Sequence, residues 1–188
     1  MLVIPEGYDT YNIIAFDPGT QTTGVAVMEI DSRTDAIISI MPFTLHSKRL
    51  PIHAPLTEIH SNRLHQMFAF QHYINELFLD YRPSAVIAEA PFYYRRCPGA
   101  YQPLLEVVSM LQRCVVDYSF TCEFHTYEPL VVKRYIGAAL SSDKDSVKKA
   151  ILSNSSVISK ITCDLEQLDD HAIDAIAVGY AFLQTRKV

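Results

Sequence analysis

The chain has 188 residues, with 16 Lys and Arg against 21 Asp and Glu, and a formal net charge of -5 at pH 7. Apolar residues make up 49% of it, which excludes intrinsic disorder and fibrous architectures and supplies a sizeable core. The length favours one domain over residues 1–188. Because no apolar run is long enough to cross a bilayer and the first ten residues lack secretory-signal features, we expect a soluble intracellular protein, cytoplasmic or organellar, without a membrane partner.

The first third of the chain predicts three antiparallel strands. Residues 11–16 (YNIIAF) form a short apolar run that meets the turn sequence Asp17-Pro18-Gly19-Thr20, so a strand ends there. Residues 23–30 and 36–43 are two further apolar segments separated by turn-forming residues, which indicates an antiparallel meander. Residues 44–56 predict a loop of functional length.

The rest of the chain alternates helices with strands. Residues 84–88 (SAVIA) are a continuous apolar run, typical of a strand buried on both faces, and Glu89 follows directly. A second irregular segment is expected over 91–103. The pattern predicts an α/β fold of ribonuclease H type, a mixed five-stranded sheet in which an antiparallel meander precedes parallel strands, flanked by helices. The remaining strand is predicted at 122–127, and the helices at 56–81, 104–118, 130–136, 143–152 and 170–183.

Three carboxylates fall where a purely structural role is hard to give them. Asp17 ends the first predicted strand, Glu89 ends the fourth, and Asp174 lies within an apolar helix. An unpaired carboxylate near an apolar core is unfavourable, so such groups are normally paired, hydrogen-bonded or bound to a cation. Taken singly, Asp17 also suits a turn before Pro-Gly, and Glu89 also suits an ion pair with a following arginine.

Two polar residues lie one helical turn before Asp174 in the predicted helix. His171 precedes it by three residues and Asp170 by four, so either can share its helix face. Asp169 and Asp170 are equally suited to capping the start of that helix, and His171 to an ordinary core or surface position. Hard carboxylate oxygens with one imidazole favour Mg²⁺ or Mn²⁺ over structural zinc, and two such ions about 4 Å apart suit phosphodiester hydrolysis.

Four ordered segments resemble the RuvC-type Holliday junction resolvases. IIAFDPGTQTTGVAV looks like the first motif of that family, VIAEAPF like its second acidic strand with a following aromatic, and HAIDAIAVGYAF like its carboxy-terminal helix. KRYIGAALSSDKDSVKKAI is similar to its basic segment. The resemblance runs in family order from about residue 11 to 184 and covers nearly the whole chain.

The resemblance implies an active site and DNA contacts. Asp17, Glu89 and Asp174 match three of the four catalytic acidic positions, where they bind metal, and His171 falls where many members have Asp and some have His. Phe92 matches the aromatic that inserts at the opened junction centre, although it also suits a core or loop position. The family's corresponding apolar helix, here 104–116, builds a two-fold dimer, so a homodimer is expected.

Basic residues are concentrated near these motifs despite the acidic total. Residues 129–150 hold five basic side chains against two acidic ones. Within them Lys133 and Lys144 match the family's phosphate-contacting positions, while Lys148 is a further candidate that also suits a solvated helix face. Arg95 and Arg96 follow two tyrosines directly after the second motif, where they suit contact with a splayed strand.

The predicted function is a metal-dependent, structure-selective endonuclease that nicks four-way DNA junctions in symmetric pairs, with other branched DNA as an alternative substrate. Hydrolysis by two Mg²⁺ or Mn²⁺ ions would leave a 5' phosphate and a 3' hydroxyl. A nuclease for structured RNA, like the smaller YqgF-like relatives, and a junction-binding protein without cleavage remain open. A sugar-kinase or actin-like ATPase is disfavoured because 188 residues with six glycines supply no second phosphate-binding lobe, so no nucleotide cofactor is expected.

Overall fold

The computed structural model describes residues 2, 7–50, 61–92, 98–140 and 145–187. No helix in these ranges is both long and apolar enough to cross a membrane. Short 3-10 turns lie at Ser47–Arg49, Pro98–Ala100 and Leu165–Gln167. The strands are β1 (Thr10–Asp17), β2 (Thr22–Asp31), β3 (Ile37–His46), β4 (Pro83–Glu89) and β5 (Glu123–Tyr127), and the helices are α1 (Asn62–Tyr81), α2 (Tyr101–Tyr118), α3 (Pro129–Ile136), α4 (Asp145–Leu152), α5 (Ser155–Ile158) and α6 (Asp170–Thr185).

The five strands form one mixed sheet in the order β3-β2-β1-β4-β5. β1 pairs antiparallel with β2, and β2 pairs antiparallel with β3. β4 pairs parallel with both β1 and β5. Pro42 is tolerated within β3 because that strand lies at an edge of the sheet, where one row of backbone amides needs no partner. The predicted mixed sheet is confirmed.

Several predicted boundaries differ from the structure. β3 extends to His46, so the loop predicted from residue 44 is wrong over its first three residues, which continue the pairing with Thr22–Gly24. α2 begins at Tyr101, three residues before the predicted start, since Pro103 is tolerated in a first helical turn. α1 begins at Asn62 after the cap residue Ser61, and the earlier part of that predicted helix, 56–60, lies outside the described residues.

Helices cover both faces of the sheet. Alternate residues of β1 face opposite sides: Ile13 and Ala15 pack with α6, whereas Ile14 and Phe16 pack with α1 and α2. α3, α4 and α5 join α6 on its side. Burial on both faces explains why the central strands consist of continuous apolar runs.

Two glycines let α6 lie close to the sheet. A Cβ atom on Gly24 of β2 would overlap the backbone carbonyl of His171, in the first turn of α6. A Cβ atom on Gly179, further along α6, would lie 2.6 Å from Cε of Met28 and 3.0 Å from Cβ of Ala15. The sheet and α6 therefore meet with almost no space between them, which fixes the first turn of α6 beside the end of β1.

Candidate active site

The sheet places two of the predicted carboxylates side by side. Asp17 is the last residue of β1 and Glu89 the last residue of β4. In the parallel register Phe16 pairs with Ala88, so Asp17 and Glu89, the next residues of the two strands, are neighbours. Side chains alternate along a strand, and Ala15 faces α6, so Asp17 and Glu89 face α6 as well.

Helix α6 adds His171 and Asp174 to these carboxylates. Nδ1 of His171 lies 2.8 Å from Oδ2 of Asp17, so the imidazole N–H donates to the carboxylate. Oδ1 of Asp169, the cap residue of α6, accepts hydrogen bonds from the backbone N–H of Ala172 at 2.9 Å and from the Thr44 hydroxyl at 2.6 Å. The first turn of α6 is thus tied to β3, and this holds the imidazole against Asp17.

The four predicted catalytic residues line one cavity of about 530 Å³. Its walls come from β1, β4, α3, α4 and α6. Lys133 on α3 brings a cation to this cavity, and its charge acts on both Glu89 and Asp174. The lining residues are Asp17, Glu89, Pro129, Val132, Lys133, Val147, Asp170, His171, Asp174 and Ala177.

The carboxylates in the cavity are difficult to ionise together. Burial, reinforced by the charges of Asp17 and Asp174, raises the pKa of Glu89 to about 8. Burial and the charge of Asp17 raise the pKa of Asp174 to about 7. The hydrogen bond to Asp17 raises the pKa of His171, because it stabilises the imidazolium. When all of these carboxylates are ionised, their negative charge exceeds the positive charge of Lys133 and His171, so the ionised state favours binding of a further cation.

Known structures of similar fold are junction resolvases. Thermus thermophilus RuvC matches with a TM-score of 0.65 and 16% identity over 94% of this chain and 96% of its own. The fowlpox virus Holliday junction resolvase matches with 0.59 and 11% over 93% and 99%. The yeast mitochondrial Holliday junction resolvase Ydc2 matches with 0.58 and 13% over 96% and 82%. This chain has the ribonuclease H-like fold of the RuvC-type resolvases. No protein-family model matches the chain, and a search of curated proteins finds no match.

The donor set of this site fits divalent metal ions in its chemistry. Asp17, Glu89 and Asp174 offer hard oxygen ligands, and His171 offers a nitrogen. A divalent cation would stabilise the ionised carboxylates, which burial and their mutual repulsion disfavour. Over the described residues, no three His, Cys, Asp or Glu side chains are already arranged to hold an ion. Metal binding would therefore require these side chains to draw together.

Three of the six predicted DNA-contacting residues lie among the described residues. Lys133 lies in the cavity with the carboxylates. Phe92 follows Glu89 on the surface with 56% of its area exposed, so it is not a core residue. Lys148 lies on α4 with its Nζ 3.1 Å from Oδ1 of Asp170. Arg95, Arg96 and Lys144 lie outside the described residues.

Two residues that position the site carried no sequence signal for this role. Thr44 was assigned to a loop, and its hydroxyl contacts Asp169, 125 residues away in sequence. Gly24 falls within the predicted second strand, 23–30, where nothing in the sequence marks it as the residue that admits the first turn of α6. Both roles depend on how α6 packs on the sheet, and no local pattern reports such packing.

Proposed function

We propose that this protein is a divalent-metal-dependent endonuclease that resolves four-way DNA junctions. The observation that carries the proposal is the convergence of Asp17, Glu89, His171 and Asp174 in one cavity beside Lys133. An open cavity whose carboxylates resist ionising together suits the binding of metal ions, which would stabilise the ionised carboxylates, together with a phosphodiester substrate.

Each side chain has a part in the proposed hydrolysis. Asp17, Glu89 and Asp174 would hold the metal ions, with His171 completing the set or acting on the attacking water. Bound Mg²⁺ or Mn²⁺, two ions per site, would supply an activated water and neutralise charge on the leaving oxygen. Lys133 would bind a phosphate oxygen, and in-line attack would leave a 5' phosphate and a 3' hydroxyl.

The choice of a four-way junction rests on the neighbouring structures and on Phe92. The T. thermophilus RuvC and fowlpox resolvase structures also match as complexes with Holliday junction DNA. Phe92, exposed beside Glu89, provides a ring on which an unpaired base at a junction centre would stack.

A homodimer would place two such sites on a two-fold symmetric junction, giving paired nicks. Apolar side chains remain exposed on the α1–α2 layer, where the ion pair between Arg63 and Glu106 joins the two helices. They are Leu64, Phe68 and Leu105. Covering these residues in a dimer would remove apolar surface from water.

Cleavage of a labelled synthetic four-way junction tests the proposal. A linear duplex of the same sequence is the matched substrate control, and each is incubated with Mg²⁺, with Mn²⁺ and with a chelator. We expect symmetric paired nicks in the junction alone, lost with the chelator. Junction binding without nicks under either metal would indicate a binding protein instead, and absence of both would direct attention to structured RNA.

A further inference from the structure

An ion pair joins α4 to α6 at the edge of the active-site cavity. Nζ of Lys148 lies 3.1 Å from Oδ1 of Asp170. Asp170 itself lines the cavity with Asp17, Glu89 and Asp174, and its charge acts on Asp174. The Lys148 ammonium therefore lies where a phosphate entering the cavity would come within its reach.

The ion pair between Lys148 and Asp170 is weak enough for Lys148 to change partner. The exposed fraction of the side chain is 43% for Lys148 and 82% for Asp170, so water screens their attraction and the pair is weak. A phosphate oxygen accepts the same ammonium hydrogen bonds as a carboxylate. The backbone of Asp170 stays at the cavity edge, because it belongs to the first turn of α6, which Asp169 ties to β3.

We propose that Lys148 exchanges Asp170 for a DNA phosphate when substrate binds, and that Asp170 takes Lys148 back when product leaves. The inference rests on the proposed function, since it assumes that DNA enters this cavity. Asp170 is then a positioning residue that acts through Lys148. It limits DNA affinity, because each binding event must first break the pair.

The exchange has a signature in the salt dependence of binding. When Lys148 moves to a phosphate, that phosphate releases its counterion, but the freed Asp170 attracts cations, which reduces the net release. In Asp170→Asn no such uptake occurs, and the slope of log affinity against log salt should steepen by up to about 0.9, the value for one phosphate contact. Junction binding should also tighten about two- to fivefold, the factor for a broken exposed ion pair of about 0.4–1 kcal/mol.

The experiment measures junction binding by fluorescence anisotropy at several salt concentrations. Full-length protein is used, with Mg²⁺ and in an Asp174→Asn background so that the DNA stays intact. Asp170→Asn, Lys148→Ala and the double variant are compared. Asp117→Asn is the matched control, because Asp117 forms an exposed ion pair with Arg113 on α2, on the opposite face of the sheet. Circular dichroism and thermal melting verify that each variant is folded.

The proposal expects tighter binding and a steeper slope in Asp170→Asn, and no effect of Asp170→Asn once Lys148 is alanine. The Asp117 control should leave both quantities unchanged. An Asp170→Asn effect that equals the Asp117 control, or that persists in the Lys148→Ala background, would overturn the exchange while leaving the endonuclease proposal intact. Failure of the parent protein to bind any junction would overturn both, and the wild-type cleavage assay separates these cases.

Discussion

Glu89 and Asp174 hold protons in the folded chain that they would release in the unfolded chain. Their pKa values in the fold are about 8 and about 7, against about 4 for carboxyls in water. Between these values the folded state binds more protons than the unfolded state, so the free energy of unfolding falls as pH rises from about 4 through 8. The stabilisation is complete at acidic pH and is lost above pH 8.

This linkage predicts how thermal stability responds to pH in the absence of metal. With a chelator present, wild type should melt at a lower temperature at pH 8.5 than at pH 5.5, and Glu89→Gln should lose less over the same interval. At pH 8.5 the variant should be more stable than wild type by up to about 5 kcal/mol, since raising a carboxyl pKa from 4.5 to about 8 costs about 1.4 kcal/mol per pH unit once the group is ionised. Parallel melting curves for the two proteins at both pH values would contradict the raised pKa of Glu89.

The substitution Asp174→Asn is expected to abolish cleavage without abolishing junction binding. In Asp174→Asn the side chain keeps its size but loses a charged metal ligand, so we expect junction binding in Mg²⁺ to persist while the cleavage rate falls at least about 100-fold. Gel assays of binding and nicking on the same junction measure both effects. Asp117→Asn, which removes an exposed carboxylate far from the cavity, should cut normally. Normal cutting by Asp174→Asn would show that the assignment of Asp174 as a metal ligand is wrong.

Phe92 tests the proposed recognition of an opened junction. Its ring is largely exposed, so Phe92→Ala should cost about 0.5 kcal/mol or less in stability. Cleavage of closed four-way junctions should fall about tenfold, the equivalent of one lost base-stacking contact. Rates on closed junctions and on junctions with unpaired centres are compared, and equal rates for variant and wild type on both would remove Phe92 from DNA recognition.

At the scale of secondary-structure elements, the packing of α6 on β2 decides whether the site assembles. Gly24 lies directly below the first turn of α6, and a methyl group there would displace the His171 backbone. We expect Gly24→Ala to lower the free energy of unfolding by about 1–3 kcal/mol and to reduce cleavage, because His171 moves away from Asp17.

Gly99→Ala provides the matched control for this substitution. Among the described residues, a Cβ atom at Gly99 meets no atom within 4 Å, so the change should leave melting temperature and cleavage unaltered. Full activity in Gly24→Ala would mean that α6 shifts without disturbing the site, and would contradict the close packing.

The predictability of the elements follows from which signals are local. Apolar runs that end at Asp17 and Glu89 predict the ends of two strands. This works because a strand buried on both faces is continuously apolar, so its end is visible in neighbouring residues of the sequence. The sequence does not predict that β3 continues over residues 44–46. These residues belong to the strand because they pair with Thr22–Gly24, which are distant in sequence. The Lys148–Asp170 pair was missed for a related reason, because it joins two helices across 22 residues.

For the molecule as a whole, the acidic total conceals an uneven distribution of charge. The net charge is -5, yet basic side chains are present on the two helices that flank α6. The described ones are Lys133 and Arg134 on α3 and Lys148 and Lys149 on α4. Lys133 in the cavity and Lys148 at its edge thus lie beside the carboxylates, and DNA is attracted to these cations but repelled by the ionised carboxylates unless a metal cation neutralises them.

This arrangement predicts that removing metal weakens junction binding, and that the loss depends on pH. In chelator at pH 8.5 the cavity carboxylates are ionised, and Asp174→Asn, with one negative charge fewer, should bind a junction about three- to tenfold more tightly than wild type. At pH 6 this advantage should disappear, because Asp174 is then protonated in wild type as well. Anisotropy titrations at both pH values measure the ratio. If Asp174→Asn binds more tightly than wild type by the same factor at pH 6 and pH 8.5, the charge of Asp174 does not oppose DNA binding. If wild type binds a junction equally well with chelator and with Mg²⁺, the acidic cavity lies away from the bound DNA backbone.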